Sequence, residues 1–168
     1  MTGARYSLRG VDVESKSTLP PGRILGVDYG SVRIGLAVSD PDRRIASPLT
    51  TYQRSGKEGD AAYFKKAAED EQIVLIVVGL PIHLSGQEGQ KAKEAREFGQ
   101  WLGKATSLPI VFWDERFTTV EAEGHLLSAG LTRKRRRDRR DRVAAQILLQ
   151  TYIDAGCPKE VPSRPLDE

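Results

Sequence analysis

The sequence predicts an α/β domain built on a mixed five-stranded sheet with helices on both faces. Three observations lead to it. Residues 23–52 hold three short strand-like segments joined by turns too short for anything but antiparallel neighbours. Residues 73–78 and 108–113 are continuous apolar runs, the pattern of strands covered on both faces. Helical patterns alternate with those runs, which places helices across a partly parallel sheet. The 168 residues suffice for one such domain.

Each element follows from its residues. Residues 1–22 are polar, lack periodicity and end Leu-Pro-Pro-Gly, so they read as a flexible tail. They contain no apolar core of a secretory signal. Residues 23–28, 32–40 and 44–52 are the three strands of a meander, turned by Gly30-Ser31 and Pro41-Asp42. Residues 56–60 read as a polar break before a helix over residues 61–71, rich in Ala, Lys and Glu. The strand at 73–79 closes on Gly79-Leu80-Pro81. A helix over 87–104 carries Ala92, Ala95, Gly99 and Leu102 on one stripe. The strand at 108–113 leads into Asp114-Glu115-Arg116. Thr118 or Thr119 caps a helix reaching about Ala129, which Gly130 ends. A basic run follows, then a last helix over about 141–154. The domain therefore spans 23–155, and the proline-bearing residues 156–168 form a second tail.

The charge is unevenly placed. Residues 133–142 hold eight Lys or Arg and two Asp; the rest of the chain has 18 basic and 21 acidic residues. All the net positive charge thus sits in Arg133, Lys134, Arg135, Arg136, Arg137, Arg139, Arg140 and Arg142. That concentration points to a polyanion, with a solvated mobile loop as the plainer reading. No apolar run approaches the ~20 residues that span a membrane. The single Cys157 forms no internal disulfide, which suits a reducing cytoplasm.

Three acids stand at element ends. Asp28 ends the first strand, Glu115 follows the last, and Asp141 opens the last helix. Asp141 is in phase with Ala144, Ala145, Leu148 and Tyr152, so it faces the sheet. Converging carboxylates repel, and hard divalent cations, Mg²⁺ or Mn²⁺, relieve the repulsion. Two such ions about 3.5–4 Å apart clamp a phosphodiester for hydrolysis. Each acid also has a plainer role: Asp28 in the glycine turn, Glu115 beside Arg116, Asp141 at a helix start. Spacing alone does not show that the three meet.

Other residues have two readings. Gly30 and Ser31 bring backbone N–H groups toward a phosphate or simply make a tight hairpin. Arg33 contacts a phosphate or pairs with a neighbouring acid. Thr118 and Thr119 cap a helix and orient Glu115. His83 and His125 read as incidental and structural, and Trp101 and Trp113 as core.

Four segments together resemble the YqgF/RuvX family of bacterial RNase H-like proteins, known as pre-ribosomal-RNA nucleases or Holliday junction resolvases. They are Leu25-Gly26-Val27-Asp28-Tyr29-Gly30 with Arg33-Ile34-Gly35 and Ser39-Asp40; Val78-Gly79-Leu80-Pro81 with Ser85-Gly86; Asp114-Glu115-Arg116-Phe117-Thr118-Thr119 with Glu121-Ala122; and Asp141 with Ala144-Ala145 and Leu148-Leu149-Gln150. They occur in the family's order over residues 23–154. The resemblance implies the RNase H-like fold. It implies catalytic, metal-holding acids at Asp28, Glu115 and Asp141, and it selects Glu115 over Asp114; Asp138, one turn before Asp141, is an accessory candidate. The implied activity is metal-dependent cleavage of structured RNA or branched DNA, leaving a 5′-phosphate and a 3′-hydroxyl. The expected partner is nucleic acid, in the cytoplasm, with the chain a monomer or a homodimer. Two departures stand out: the tail to Gly22 has no family counterpart, and the basic run is denser in arginine than the family's link.

Two other function classes compete. A non-catalytic nucleic-acid-binding module, such as a ribosome-assembly or transcription factor, explains the basic run but not acids near a phosphate surface. A phosphotransferase of the actin and sugar-kinase type shares Asp-x-Gly in a meander, but needs two such domains, and 168 residues supply one.

Overall fold

A computed structural model describes residues 19–82, 85–115 and 132–159. In chain order these form β1 (Arg23–Asp28), β2 (Arg33–Ser39), β3 (Ala46–Gln53), α1 (Lys57–Asp70), β4 (Ile73–Leu80), α2 (Gln90–Thr106), β5 (Ile110–Asp114) and α3 (Arg133–Asp154). The strands make one sheet in the order β3-β2-β1-β4-β5. β1 pairs antiparallel with β2, and β2 with β3, while β4 runs parallel to both β1 and β5. This is the mixed five-stranded RNase H-like sheet that the sequence leads one to expect.

The two faces have separate cores. In β4, Leu75 and Val77 point to α3, where they join Ala145, Leu148, Leu149 and Tyr152. Ile76 and Val78 point the other way, to Phe64 of α1 and to Phe98 and Leu102 of α2. Both faces are covered, so β4 reads as an unbroken apolar run. Trp113 is buried in the α3 core and donates its Nε1–H to Thr151 Oγ1 at 2.9 Å; Trp101 packs beside the other core. No helix of the described residues is long and apolar enough to cross a membrane.

Three helix starts differ from the sequence reading. α3 begins at Arg133, eight residues earlier than expected, so Asp141 lies more than two turns inside it and does not open it. The basic run is therefore helical and not a mobile loop. Thr132 caps the helix, accepting from Arg135 N–H at 3.3 Å, and arginine is a good helix former. The break expected at 56–60 is instead the start of α1, entered from Gly56 at φ 97°. There Asp60 is fully buried and accepts from Tyr52 Oη–H (2.7 Å), Ser55 N–H (3.0 Å) and Arg54 Nε–H (3.1 Å). A polar segment with a buried acid carries no apolar periodicity, so its helix was hidden. α2 starts at Gln90 and not at 87, because Ile82 and Glu88 first form a β-bridge. The helix expected between Thr118 and Ala129, with its threonine cap and His125, lies outside the described residues, as do His83 and Arg116. At the other end Leu19 packs on the α3 core, and Arg43 Nε–H donates to the Gly22 carbonyl at 3.0 Å.

Candidate active site

β1, β4 and β5 run parallel and present the same ends at one edge of the sheet. Asp28 is the last residue of β1, and Glu115 directly follows β5. Between them lies β4, where Gly79 leaves the necessary room. A Cβ at Gly79 would stand 2.6 Å from Glu115 Oε1 and 3.0 Å from its Cγ. The absence of a side chain there lets Glu115 lie across β4 toward Asp28.

Asp141 arrives from above the sheet. Asp28 faces Gly35 across the β1–β2 ladder. A Cβ at Gly35 would stand 1.9 Å from the Asp141 carbonyl oxygen, so the α3 backbone rests directly on this strand. A glycine opposite Asp28 thus sets how close Asp141 comes. Asp28, Arg33 and Asp141 line a pocket of about 260 Å³ with the turn residues Tyr29, Gly30, Ser31 and Val32. Gly30 has a packing reason of its own: a Cβ there would fall 2.1 Å from the Arg33 carbonyl oxygen.

The electrostatics fit crowded acids. Asp28 titrates well above its ordinary 3.8, first because of burial, then because of the Glu115 charge and hydrogen bond, and last the Asp141 charge. Glu115 is also raised, by burial and by Asp114, while the bond from Asp28 and the charge of Lys91 act the other way. Both acids are thus raised, Asp28 the more strongly, and the two share a hydrogen bond. Asp141 is held differently: Arg33 Nε–H donates to its Oδ2 at 3.0 Å. The acids are thus divided two and one. Among the described residues no group of three or more His, Cys, Asp or Glu stands ready to hold a metal.

The basic residues approach the same edge. Arg133, Lys134, Arg135, Arg136, Arg137, Arg139 and Arg140 lie on the turns of α3 that precede Asp141, all of them exposed. At 1.5 Å per residue, Arg133 lies about 12 Å along the axis from Asp141. No acid occupies the first turn. Cations at a helix N-terminus oppose its dipole, at about 0.3–1 kcal/mol each at low salt, so folding alone does not favour this arrangement. An anion alongside does. Asp138 is half-buried and its carbonyl accepts from Thr51 Oγ1–H; Asp114 is buried at the end of β5.

Sequence reasoning placed Asp28, Glu115 and Asp141 at element ends and offered Arg33 either a phosphate or an acid; the structure pairs Arg33 with Asp141. It missed Lys91 near Glu115 and the packing roles of Gly35 and Gly79. The glycines stand in the quoted motifs, but only the sheet order shows what crosses them. Nothing in the sequence marks Lys91.

The comparisons with known proteins are specific. The family model "RuvX: Holliday junction resolvase" matches residues 22–155. A protein of Rhodopirellula baltica named "Putative pre-16S rRNA nuclease" is 49% identical over 134 residues, 80% of this chain and 78% of that protein. One of the same name from Koribacter versatilis is 44% identical over 142 residues, 84% of this chain and 93% of that protein. Among solved structures, a T. thermophilus RuvC in complex with Holliday junction substrate aligns at TM-score 0.46 and 14% identity, covering 80% of this chain and 96% of that one.

Proposed function

The chain belongs to the RuvX family, and on that premise we propose that it is a metal-dependent endonuclease cutting phosphodiester bonds in structured nucleic acid. The substrate is the 5′ end of precursor 16S rRNA or a Holliday junction, in line with the names of its relatives. One observation supports this reading above the others: Asp28 and Glu115 share a hydrogen bond at the sheet edge that Asp141 and the arginine-rich turns of α3 approach.

The acids suit a hard divalent cation. All three donors are carboxylates, the ligand type that Mg²⁺ and Mn²⁺ take. The crowding that makes Asp28 hold a proton is relieved equally by a metal charge in its place. We assign Asp28, Glu115 and Asp141 to hold the metal, as a pair of ions, with Asp114 and Asp138 as outer acids. Bound there, the ions supply activation of water and neutralisation of the leaving oxygen. The chain's own residues do the rest. Asp28 gives up its proton and, with Glu115, fixes the reacting edge. Glu115 orients the attacking water. Gly30 and Ser31 let the backbone approach the phosphate, and the α3 cations hold the flanking phosphates, giving binding that falls steeply with salt. A junction resolvase making two symmetric cuts needs two sites and hence a homodimer, whereas rRNA trimming needs one. The site of action in either case is the cytoplasm.

The test is cleavage of a four-way DNA junction and a pre-16S rRNA fragment with Mg²⁺ or Mn²⁺, by wild type and by Asp28→Asn. The variant should be inactive on whichever substrate wild type cuts. Identical traces from the two proteins would refute the assignment. Tight binding with no turnover on any substrate would favour a non-catalytic binding module.

A further inference from the structure

We propose that Arg33 is a resident cation on Asp141 which moves to a substrate phosphate, so that nucleic acid and divalent metal each strengthen the binding of the other. The inference rests on the reading of Asp28, Glu115 and Asp141 as the metal-holding acids.

Three observations carry it. First, Arg33 Nε–H bonds Asp141 Oδ2 at 3.0 Å, so Asp141 already has a cation. Second, the other two acids are bonded to each other, and no three-acid cage stands ready among the described residues. The guanidinium on Asp141 Oδ2 therefore competes with a metal for the charge of that carboxylate. Third, Arg33 is well placed to leave. Its side chain is 26% exposed, and it lines the same pocket as Asp28 and the Gly30-Ser31 turn. Its backbone is fixed as the first residue of β2, while its side chain has several free torsions.

The exchange follows from charge and geometry. A guanidinium beside the acids repels an incoming divalent cation. A phosphate in the pocket offers that guanidinium two oxygens in the planar fork arrangement it binds best. Arg33 then turns to the phosphate, and Asp141 is free for the metal. Metal favours the state with Asp141 released; phosphate favours the state with Arg33 released; these are one state. Two ligands that favour the same state are positively coupled, and the coupling is reciprocal. If Arg33 were only a strut between β2 and α3, its loss would lower stability and leave the coupling unchanged.

The experiment titrates MnCl₂ calorimetrically into full-length wild type, Arg33→Gln and Asp28→Asn. Each titration is run with and without a four-way DNA junction whose linkages are phosphorothioates and resist cleavage. Wild type should bind Mn²⁺ at least about fivefold more tightly with the junction, the low end of ordinary allosteric couplings. Arg33→Gln should bind Mn²⁺ alone at least about fivefold more tightly than wild type, and the junction should then add less than about twofold. Arg33→Met keeps the aliphatic stem and carries the same expectation should the glutamine variant fold poorly. Coupling as large as in wild type, or weaker binding of Mn²⁺ alone, overturns the role of Arg33. Asp28→Asn should lose Mn²⁺ binding. If it binds as wild type does, or if wild type binds no Mn²⁺, the metal-site reading itself is overturned.

Discussion

Replacing Gly35 by alanine should cripple cleavage while every acid in the chain remains in place. The added Cβ would sit 1.9 Å from the Asp141 carbonyl oxygen and 2.4 Å from its carbonyl carbon. These are backbone atoms of a 22-residue helix, so no rotamer change relieves the clash. Ordinary van der Waals contact begins near 3.4 Å, so α3 must retreat by about 1.5 Å at Asp141. Overpacking of this kind costs about 1–3 kcal/mol. In a chain of this size that lowers Tm by roughly 2–4 °C per kcal/mol. The catalytic loss should be larger than the stability loss suggests. A misplacement of about 1 Å costs on the order of 100-fold in rate, and here the third acid is displaced by more than that. The assay is single-turnover cleavage at a temperature where melting curves show the variant folded. Gly103→Ala is the matched control: its Cβ meets the Ile110 side chain at 2.9 Å, on the face away from α3. It should cost stability yet cleave within about threefold of wild type, because side-chain overpacking there leaves α3 in place. If Gly35→Ala, folded, also cleaves within about threefold of wild type, the close approach of α3 does not position the site.

The remaining expectations concern charge. Asp28 keeps its proton in the folded state well above 3.8, so as pH rises through that window the unfolded chain releases a proton that the folded chain retains. The contribution of Asp28 to stability without divalent metal therefore falls with rising pH. Asp28→Asn removes that slope, so its Tm advantage over wild type should widen from about pH 4 upward; a difference independent of pH would contradict the shared proton. Replacing Arg136, Arg139 and Arg140 by glutamine should make DNA binding less sensitive to salt, by roughly 0.9 in log–log slope for each phosphate that these arginines neutralise. The same triple variant should melt no lower than wild type, because cations near the helix N-terminus oppose the dipole. Asp60 behaves oppositely to Asp28: burial alone would raise it, but the Ser55, Tyr52 and Arg54 bonds hold it below 3.8. Its contribution is present above 3.8 and lost as pH falls through the lower folded value. Asp60→Ala should cost about 3 kcal/mol in a urea melt by leaving Arg54 without its buried partner, and a loss within error would mean the network does not matter.

The legible and illegible parts of this chain differ for a physical reason. β1, β2, β4 and β5 could be read because apolar periodicity reports burial, and each has a face or two buried. The start of α3 could not, because a helix that leaves the sheet buries little there, and its arginines look like a solvated run. The acids were legible one by one as residues at element ends. Their separation into a bonded pair and a partnered third was not, since that depends on which strands adjoin. Gly35 and Gly79 join the two levels. In sequence they look like turn or strand glycines. In the fold, Gly79 is the space through which Glu115 reaches toward Asp28, and Gly35 is the surface on which the Asp141 backbone rests. Adding a methyl group at either would leave the acids intact and change only the distances among them. The spacing of Asp28, Glu115 and Asp141 is therefore set in part by two missing side chains, and a search of sequences for the acids alone would pass over both glycines.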